Sequence, residues 1–480
     1  MSHLVRFCLN DQEIETTVPP GMLVLDFLRH RVELTGTKEG CKEGDCGACT
    51  VLIGELAGEN VHYRPVTSCL MPVGELHGKH LVTVEGLNMD HLTVVQDAIV
   101  TEGASQCGFC TPGIVVSLTY GLMEKGPDFS DADVKYVLSG HLCRCTGYAS
   151  LLRAGKFIQQ QAVKLNDGEG QAAHIQAMIE QGMLPAYFAD IPEKLRRIPP
   201  RSARDGKHAS AVFIAGGTDI YVQRGEELPE TNVFLLNLHP EMKGISRKGE
   251  NIHVGALTTF EEFSRNELIQ QVIPRINEYM RLNASLQIRN RATIGGNIVN
   301  ASPIADMVIF LLALDAEVIL NKGKNQRRVG LKNFYKGYKQ LDKSPTEVVT
   351  QVVFSVPADD ERIHFEKVSK RRHLDIASVN SAIRIRVTNG VIEQVHLSMG
   401  GVAPVPLYMR RTCEYLTGKP LNTDILTAAL DTAQQEISPI SDIRGSADYK
   451  RLLTRNLIIA HFTELFPEIF SLKEFLAEMR

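Results

Sequence analysis

The first residues, Leu4-Val5-Arg6-Phe7-Cys8-Leu9, alternate loosely between apolar and polar positions. Asn10-Asp11 follows as a turn signal, and residues 13–18 can return as a second strand. Pro19-Pro20-Gly21 ends that pattern. Leu25, Leu28 and Val32 then recur at helical spacing, predicting a helix over residues 22–31. A stretch rich in Gly and Cys runs from 35 to 49. Helical texture dominates residues 86–161, with candidate helices at 94–102, 112–125 and 131–139. Pro112 suits a first helical turn, where its missing N–H leaves nothing unpaired. Residues 162–207 read as a connector, polar and glycine-rich at Asn166-Asp167-Gly168-Glu169-Gly170, with a short helix near 172–181 and a linker signal at Ile198-Pro199-Pro200-Arg201-Ser202. Beyond it, strands are predicted at 212–215, 233–238, 252–256, 317–320, 348–356, 382–387 and 395–399. Helices are predicted at 258–266 and 421–436. No fixed-period repeat or low-complexity tract is present.

The 480 residues suggest roughly three domains. A hydrophobic content of 44% argues against disorder. Lys plus Arg is 52 and Asp plus Glu is 56, a formal charge of −4, which excludes a strongly basic nucleic-acid binder on bulk charge. The best apolar run, residues 307–314 between Asp306 and Asp315, is far short of the ~20 residues that cross a bilayer. The start, Met1-Ser2-His3-Leu4-Val5-Arg6, has no apolar signal core. The expectation is a cytoplasmic protein that binds neither membrane nor nucleic acid.

Cysteine changes this bland picture. Of ten, nine lie in the first 145 residues, and only Cys413 falls later. In a reducing compartment, clustered cysteines point to metal or redox chemistry. Cys41, Cys46 and Cys49 form C-x4-C-x2-C with Cys69 further on, the spacing of plant-type [2Fe–2S] ferredoxins. Gly40, Gly44 and Gly47 let the backbone wrap and aim N–H groups at sulfur. A structural zinc site fits the x4 gap poorly. Cys107 and Cys110 form C-x2-C, and Cys143 and Cys145 form C-x-C. Alone these stay open between zinc and iron–sulfur; beside a ferredoxin loop they read as a second cluster. Cys8 and Cys413 have no partners and read as small buried thiols. No histidines show paired ligand spacing.

Gly216-Gly217-Thr218-Asp219 and Gly295-Gly296-Asn297 follow apolar runs, and such loops can present N–H groups to a pyrophosphate. Neither is G-x-G-x-x-G nor a P-loop, and as patterns alone both read more readily as tight turns.

Together, the cysteine runs, Gln106-Cys107-Gly108-Phe109-Cys110-Thr111-Pro112-Gly113 and Cys143-Arg144-Cys145-Thr146-Gly147-Tyr148 resemble the iron–sulfur part of the molybdenum hydroxylases, the family of xanthine dehydrogenases and aldehyde oxidases. The resemblance continues through Phe213-Ile214-Ala215-Gly216-Gly217-Thr218-Asp219-Ile220, Thr293-Ile294-Gly295-Gly296-Asn297, Ala301-Ser302-Pro303-Ile304-Ala305-Asp306, residues 365–377 and Ser398-Met399-Gly400-Gly401-Val402-Ala403-Pro404.

The resemblance implies an α+β multidomain chain. Residues 1–84 would be a β-grasp ferredoxin domain, 85–163 an all-α helical bundle holding the second [2Fe–2S] cluster, and 164–207 a linker. Residues 208–378 would be an α+β FAD-binding domain of the vanillyl-alcohol-oxidase/CO-dehydrogenase flavoprotein type, and 379–480 a C-terminal α/β subdomain. Metal ligands would be Cys41, Cys46, Cys49 and Cys69, then Cys107, Cys110, Cys143 and Cys145. FAD would be held by residues 213–220 and 293–297, by Asp306 and by Lys367, while Gln106 would touch the molybdopterin of a partner chain. The implied role is the electron-transfer subunit of a bacterial xanthine dehydrogenase, carrying electrons from a large molybdopterin subunit through both clusters to FAD and NAD⁺, in a heterotetramer of two small and two large chains. An aldehyde or N-heterocycle oxidoreductase, or a stand-alone iron–sulfur flavin NADH reductase, would use the same domains. No catalytic acid, base or nucleophile is expected on this chain. Asn283 and Lys336 depart from the family pattern near where a nicotinamide would approach.

Overall fold

The computed structural model describes residues 4–165, 168–200, 211–371, 373–471 and 473. Parts of the expected connector, 166–167 and 201–207, lie outside the described residues, as do the extreme ends of the first and last expected domains. The chain forms two compact units, Met1–His239 with Ser285–Ala292, and Pro240–Ala284 with Thr293–Arg480.

In the first unit, β1 (Val5–Leu9), β2 (Gln12–Thr16), β3 (Thr50–Ala57), β4 (Asn60–Thr67) and β5 (His80–Val82) make one sheet in the order β2-β1-β5-β3-β4. β1 and β5 run parallel. The two-residue period of a strand sends Phe7, Val51 and Ile53 to the face covered by helix Val24–His30, where Phe7 meets Phe27 edge to face. Cys8, Leu52 and Tyr63 go to the opposite face, under the helices. Because both faces are covered, β1 and β3 are apolar nearly throughout. Cys8 is thus a core side chain, its thiol pushed up to about 11 by burial.

Helices Val94–Thr101, Thr111–Lys125, Asp131–Leu138 and Ala149–Ala162 form the second layer. Thr93 with Gln96 and Ser130 with Asp133 close capping boxes at two of them, and Pro112 sits in the first turn of a third. Helix Thr111–Lys125 is buried almost all round, which is why its apolar residues form no single stripe.

Residues 168–200 are more than a connector. Helices Gln171–Glu180 and Ile191–Arg197, with the 3-10 turn Ala186–Asp190 between them, put Met178, Phe188, Ile191 and Leu195 into the same core. The Gln171 amide behaves like a strand residue: it accepts from Tyr63 N (2.6 Å) and donates to Tyr63 O (2.9 Å), covering part of the free edge of β4. β6 (Val212–Ile214) pairs in parallel with β7 (Val233–Leu235) in this unit, and Ser285–Ala292 packs here too.

The second unit has an antiparallel sheet of β8 (Ile245–Lys248), β9 (Asn251–Gly255), β10 (Glu317–Lys322), β11 (Asn325–Gly330) and β14 (Val348–Ser355), in the order β11-β10-β14-β9-β8. β12 (Tyr335–Gly337) and β13 (Gln340–Leu341) form a separate hairpin. A second antiparallel sheet joins β15 (Glu361–Val368), β16 (Val379–Thr388), β17 (Val391–Gly400) and β18 (Leu407–Tyr408). The apolar run after Asp306 is a core helix, Asp306–Ala313, with Met307 through Ala313 all buried against β16 and β17. Helix Ala447–Leu465 packs on β15 and β16. Among the described residues, no helix is long and apolar enough to cross a membrane.

Candidate functional site: two cysteine centres and the flavin loops

The ferredoxin loop bends so that its sulfurs face backbone donors. Glu43 N and Asp45 N donate to Cys41 Sγ at 3.4 and 3.3 Å. The amide of Ala48 serves Cys46, and that of Gly44 serves Cys69. Cys49 and Cys69 are buried, at 2% and 1% exposure, while Cys41 and Cys46 are half-buried. The thiols come together in pairs, Cys41 with Cys46 and Cys49 with Cys69. The Cys46 thiol and the surrounding amides hold Cys41 down at about 5, and its partnership with Cys41, then burial, pushes Cys46 up. Cys49 is held low by Cys69, which is itself pushed up.

The second centre repeats this arrangement between two helix starts. Cys110 immediately precedes helix Thr111–Lys125, and Cys145 lies just before helix Ala149–Ala162. Cys107 pairs with Cys145, and Cys110 with Cys143, around a cavity of about 160 Å³ lined by both cysteine runs. That is far more than the ~10–15 Å³ one water requires. Cys107 is held low by the Phe109 amide and then by Cys145. Burial works against the Cys143 thiolate, but the Thr146 hydroxyl, 3.1 Å away, and the amides of Thr146 and Cys145 outweigh it. Burial pushes Cys110 up to about 12. Gln106, Cys107 and Cys145 are exposed.

Tyr148 contributes a role that the Cys-Arg-Cys-Thr-Gly-Tyr motif did not disclose. Its hydroxyl accepts from Cys143 N (3.0 Å) and donates to His141 O (2.7 Å), clamping the loop. Thr146 on Cys143 was likewise legible only as part of a motif.

The donor set tests what each centre can hold. Among the described residues, no three ligating side chains converge on a single-ion position. The sulfurs are drawn together two by two, as a cluster of two irons with two thiolates on each requires. The pairs and their amides fit a [2Fe–2S] group at each centre.

The flavin loops differ from each other. In the first unit, the loop after β6 turns at Gly217 (φ +76°), and Gly216 is pressed so close to the backbone that a Cβ would lie 1.9 Å from Arg291 O. Arg291 Nη2 donates to Gly216 O (2.6 Å) and forms a two-pronged pair with Glu75 at 3.1 and 3.3 Å. The N–H groups of Gly217 and Thr218 have no acceptor among the described residues.

In the second unit, Thr293 caps helix Ile294–Asn300, and the amides of its first turn are occupied. Ile294 N donates to Thr258 O, Gly295 N to Ala256 O, Gly296 N to Thr293 Oγ1 and Asn297 N to Thr293 O. Capping and pairing with residues 256–258 thus engage the backbone donors of this second loop. A side-chain acceptor is left over instead: Asn297 Oδ1 is buried without a partner. Lys367 and Asp306 come together as a buried ion pair (2.6 Å), with Lys367 also donating to Leu282 O and Asn380 Nδ2 donating to Asp306 Oδ1. One of the three Lys367 donors is left over. In the first unit the unpaired N–H groups suit a phosphate; in the second, the orphaned amide oxygen suits a donor and the fixed ammonium an acceptor on a polar ligand.

Models of known domain families match along the chain in order. They are a 2Fe-2S iron-sulfur cluster binding domain over 7–74, a [2Fe-2S] binding domain over 83–156, the FAD binding domain in molybdopterin dehydrogenase over 196–358 and the CO dehydrogenase flavoprotein C-terminal domain over 364–465. The chain thus carries two [2Fe-2S] domains followed by an FAD-binding domain and a flavoprotein C-terminal domain, the domain order of the iron–sulfur/FAD subunit of a molybdenum hydroxylase. It is homologous to the N-terminal, iron–sulfur and FAD portion of xanthine dehydrogenases. Xanthine dehydrogenase of Drosophila pseudoobscura pseudoobscura is 29% identical over 97% of this chain. Aldehyde oxidase 1 of Rattus norvegicus is 27% identical over 96%. The chain spans 39% of the length of each. A solved carbon monoxide dehydrogenase structure from Hydrogenophaga pseudoflava has 25% identity and a TM-score of 0.49, covering 52% of this chain and 87% of that one.

Proposed function

We propose that this chain is the electron-transfer subunit of a xanthine dehydrogenase whose molybdopterin lies on a separate large subunit. The observation that carries the reading is the pairwise gathering of eight thiols at two centres, each lined by amide donors. Cys41, Cys46, Cys49 and Cys69 hold one [2Fe–2S] cluster, and Cys107, Cys110, Cys143 and Cys145 hold the other. Residues 213–220 and 293–297, with Asp306 and Lys367, hold FAD. When bound, these groups convert single electrons from the partner's molybdopterin into the electron pair that NAD⁺ takes up from FAD. The residues themselves bind, aim donors and exclude water. Exposed Gln106, beside exposed Cys107, marks the face turned to the partner's pterin. The chain would act in the cytoplasm, in an assembly of two small and two large subunits.

The similarity to an aldehyde oxidase favours a second reading in which the same module serves another oxidisable substrate, since the substrate pocket would belong to the partner. Cys107→Ser in the assembled enzyme tests the proposed order. Xanthine-dependent NAD⁺ reduction should be lost while NADH-dependent dye reduction through FAD persists. Equal loss of both would contradict the order.

A further inference from the structure

In the first unit the two cysteine loops meet along their backbones. Leu142 N donates to Cys46 O at 3.1 Å. Gly47, with φ +72°, lies on this seam, and a Cβ there would fall 2.4 Å from Gly140 O and 2.5 Å from His141 Nδ1. From the other side, a Cβ on Gly113, in the first turn of the helix after Cys110, would fall 2.3 Å from Gly47 O. The seam has room for backbone only.

Three buried polar side chains close it. His141 Nε2 lies 2.7 Å from Ser117 Oγ, and Gln287 Nε2 lies 3.1 Å from that hydroxyl and 3.0 Å from His141 Nε2. None of the three is more than 2% exposed. Ser117 stands on helix Thr111–Lys125, His141 on the loop leading to Cys143, and Gln287 on the Ser285–Ala292 segment. That segment also places Ile288 against Gly44 of the ferredoxin loop. His141 Nδ1 and Gln287 Oε1 have no partner. Buried polar atoms left unpaired are destabilising, and an apolar trio would pack here without them. What the polar trio provides instead is direction: its bonds hold three elements in one register.

We propose that His141, Ser117 and Gln287 form a positioning lock that sets the separation and orientation of the two iron–sulfur clusters. The inference rests on the reading of the eight cysteines as ligands of two clusters. Magnetic interaction and electron exchange between clusters both fall steeply with separation, so a registry fixed by rigid backbone contact controls both.

The test uses the full chain purified with its clusters and flavin. Iron and sulfide content come first; an iron-free wild-type protein would overturn the cluster reading and the lock with it. Electron paramagnetic resonance of dithionite-reduced protein at low temperature then reads the splitting produced by the interaction of the two reduced clusters. In Gln287→Leu and Ser117→Ala, iron and sulfide should stay at wild-type levels while the splitting shrinks or vanishes. Ser117→Thr, which keeps the hydroxyl, should restore it. Unchanged splitting in fully loaded Gln287→Leu and Ser117→Ala protein, whatever their melting temperature, would overturn the lock and leave the trio as packing.

Discussion

Glu75 and Arg291 offer a perturbation whose size can be worked out beforehand. Each side chain is 5% exposed, and two contacts of 3.1 and 3.3 Å join them. Arg291 also holds Gly216 O, so the pair supports the first flavin loop. Glu75→Gln keeps the shape and removes the charge, leaving a buried guanidinium opposite a neutral amide. Removing one partner of a buried pair costs ~3–5 kcal/mol, against ~0–1 for an exposed pair. With a urea slope of about 3 kcal/mol per molar, the midpoint for the first unit should fall by about 1–1.7 M. Arg6–Glu15 is the internal control: at 2.6 Å it is shorter, yet it is 38% and 58% exposed, so Glu15→Gln should barely move the midpoint. The double variant Glu75→Leu/Arg291→Met should lose less than Glu75→Gln alone, because no unpaired charge remains. Urea unfolding followed by visible circular dichroism of the cluster chromophore reads all of these. If Glu75→Gln shifted the midpoint no more than Glu15→Gln, burial would not be what gives this pair its weight.

Two further outcomes follow from buried His80 and half-buried Tyr148 in the first unit. Tyr63 Oη donates to His80 Nδ1 (2.8 Å) and His80 Nε2 donates to Asn10 O (2.9 Å), so the neutral ring is fully partnered, and burial pushes its pKa down to about 3. The unfolded chain therefore takes up that proton first. The stabilisation from a neutral His80 is complete above about pH 6.5 and is lost as pH falls toward about 3, at up to ~1.4 kcal/mol per pH unit. Urea midpoints between pH 7 and pH 4 should show this slope, and His80→Gln should flatten it; an identical slope in the variant would count against the assignment. Tyr148→Phe leaves Cys143 N and His141 O without the hydroxyl, which at ~0.5–1.5 kcal/mol per hydrogen bond predicts a loss of about 1–3 kcal/mol, checked by chemical denaturation. A loss below the measurement error would show that the clamp is dispensable.

Local pattern disclosed most of the early elements. The alternation at Leu4–Leu9 is β1, and the helical spacing after Gly21 is helix Val24–His30. The Pro112 signal is a true helix start. Helix Ala447–Leu465 gave no comparable signal, because its apolar residues meet more than one neighbour and form no single stripe. β3 escaped because burial on both its faces hides the two-residue period. The packing of residues 168–200 depends on Phe188, Ile191 and the Gln171 side chain finding partners about a hundred residues away, which no local window contains. The cysteine centres were legible because ligand spacing is itself local. The occupied amides after Thr293 were not, since their acceptors on 256–258 are reached only through the fold.

What the eight thiols hold decides the function of this chain. Purified, properly assembled full-length chain should be assayed together for iron, acid-labile sulfide, zinc and flavin, with its absorption spectrum. Two [2Fe–2S] clusters and one flavin predict about four irons, as many sulfides and about one FAD per chain. Zinc without iron or flavin would contradict the account and return the cysteines to a structural role.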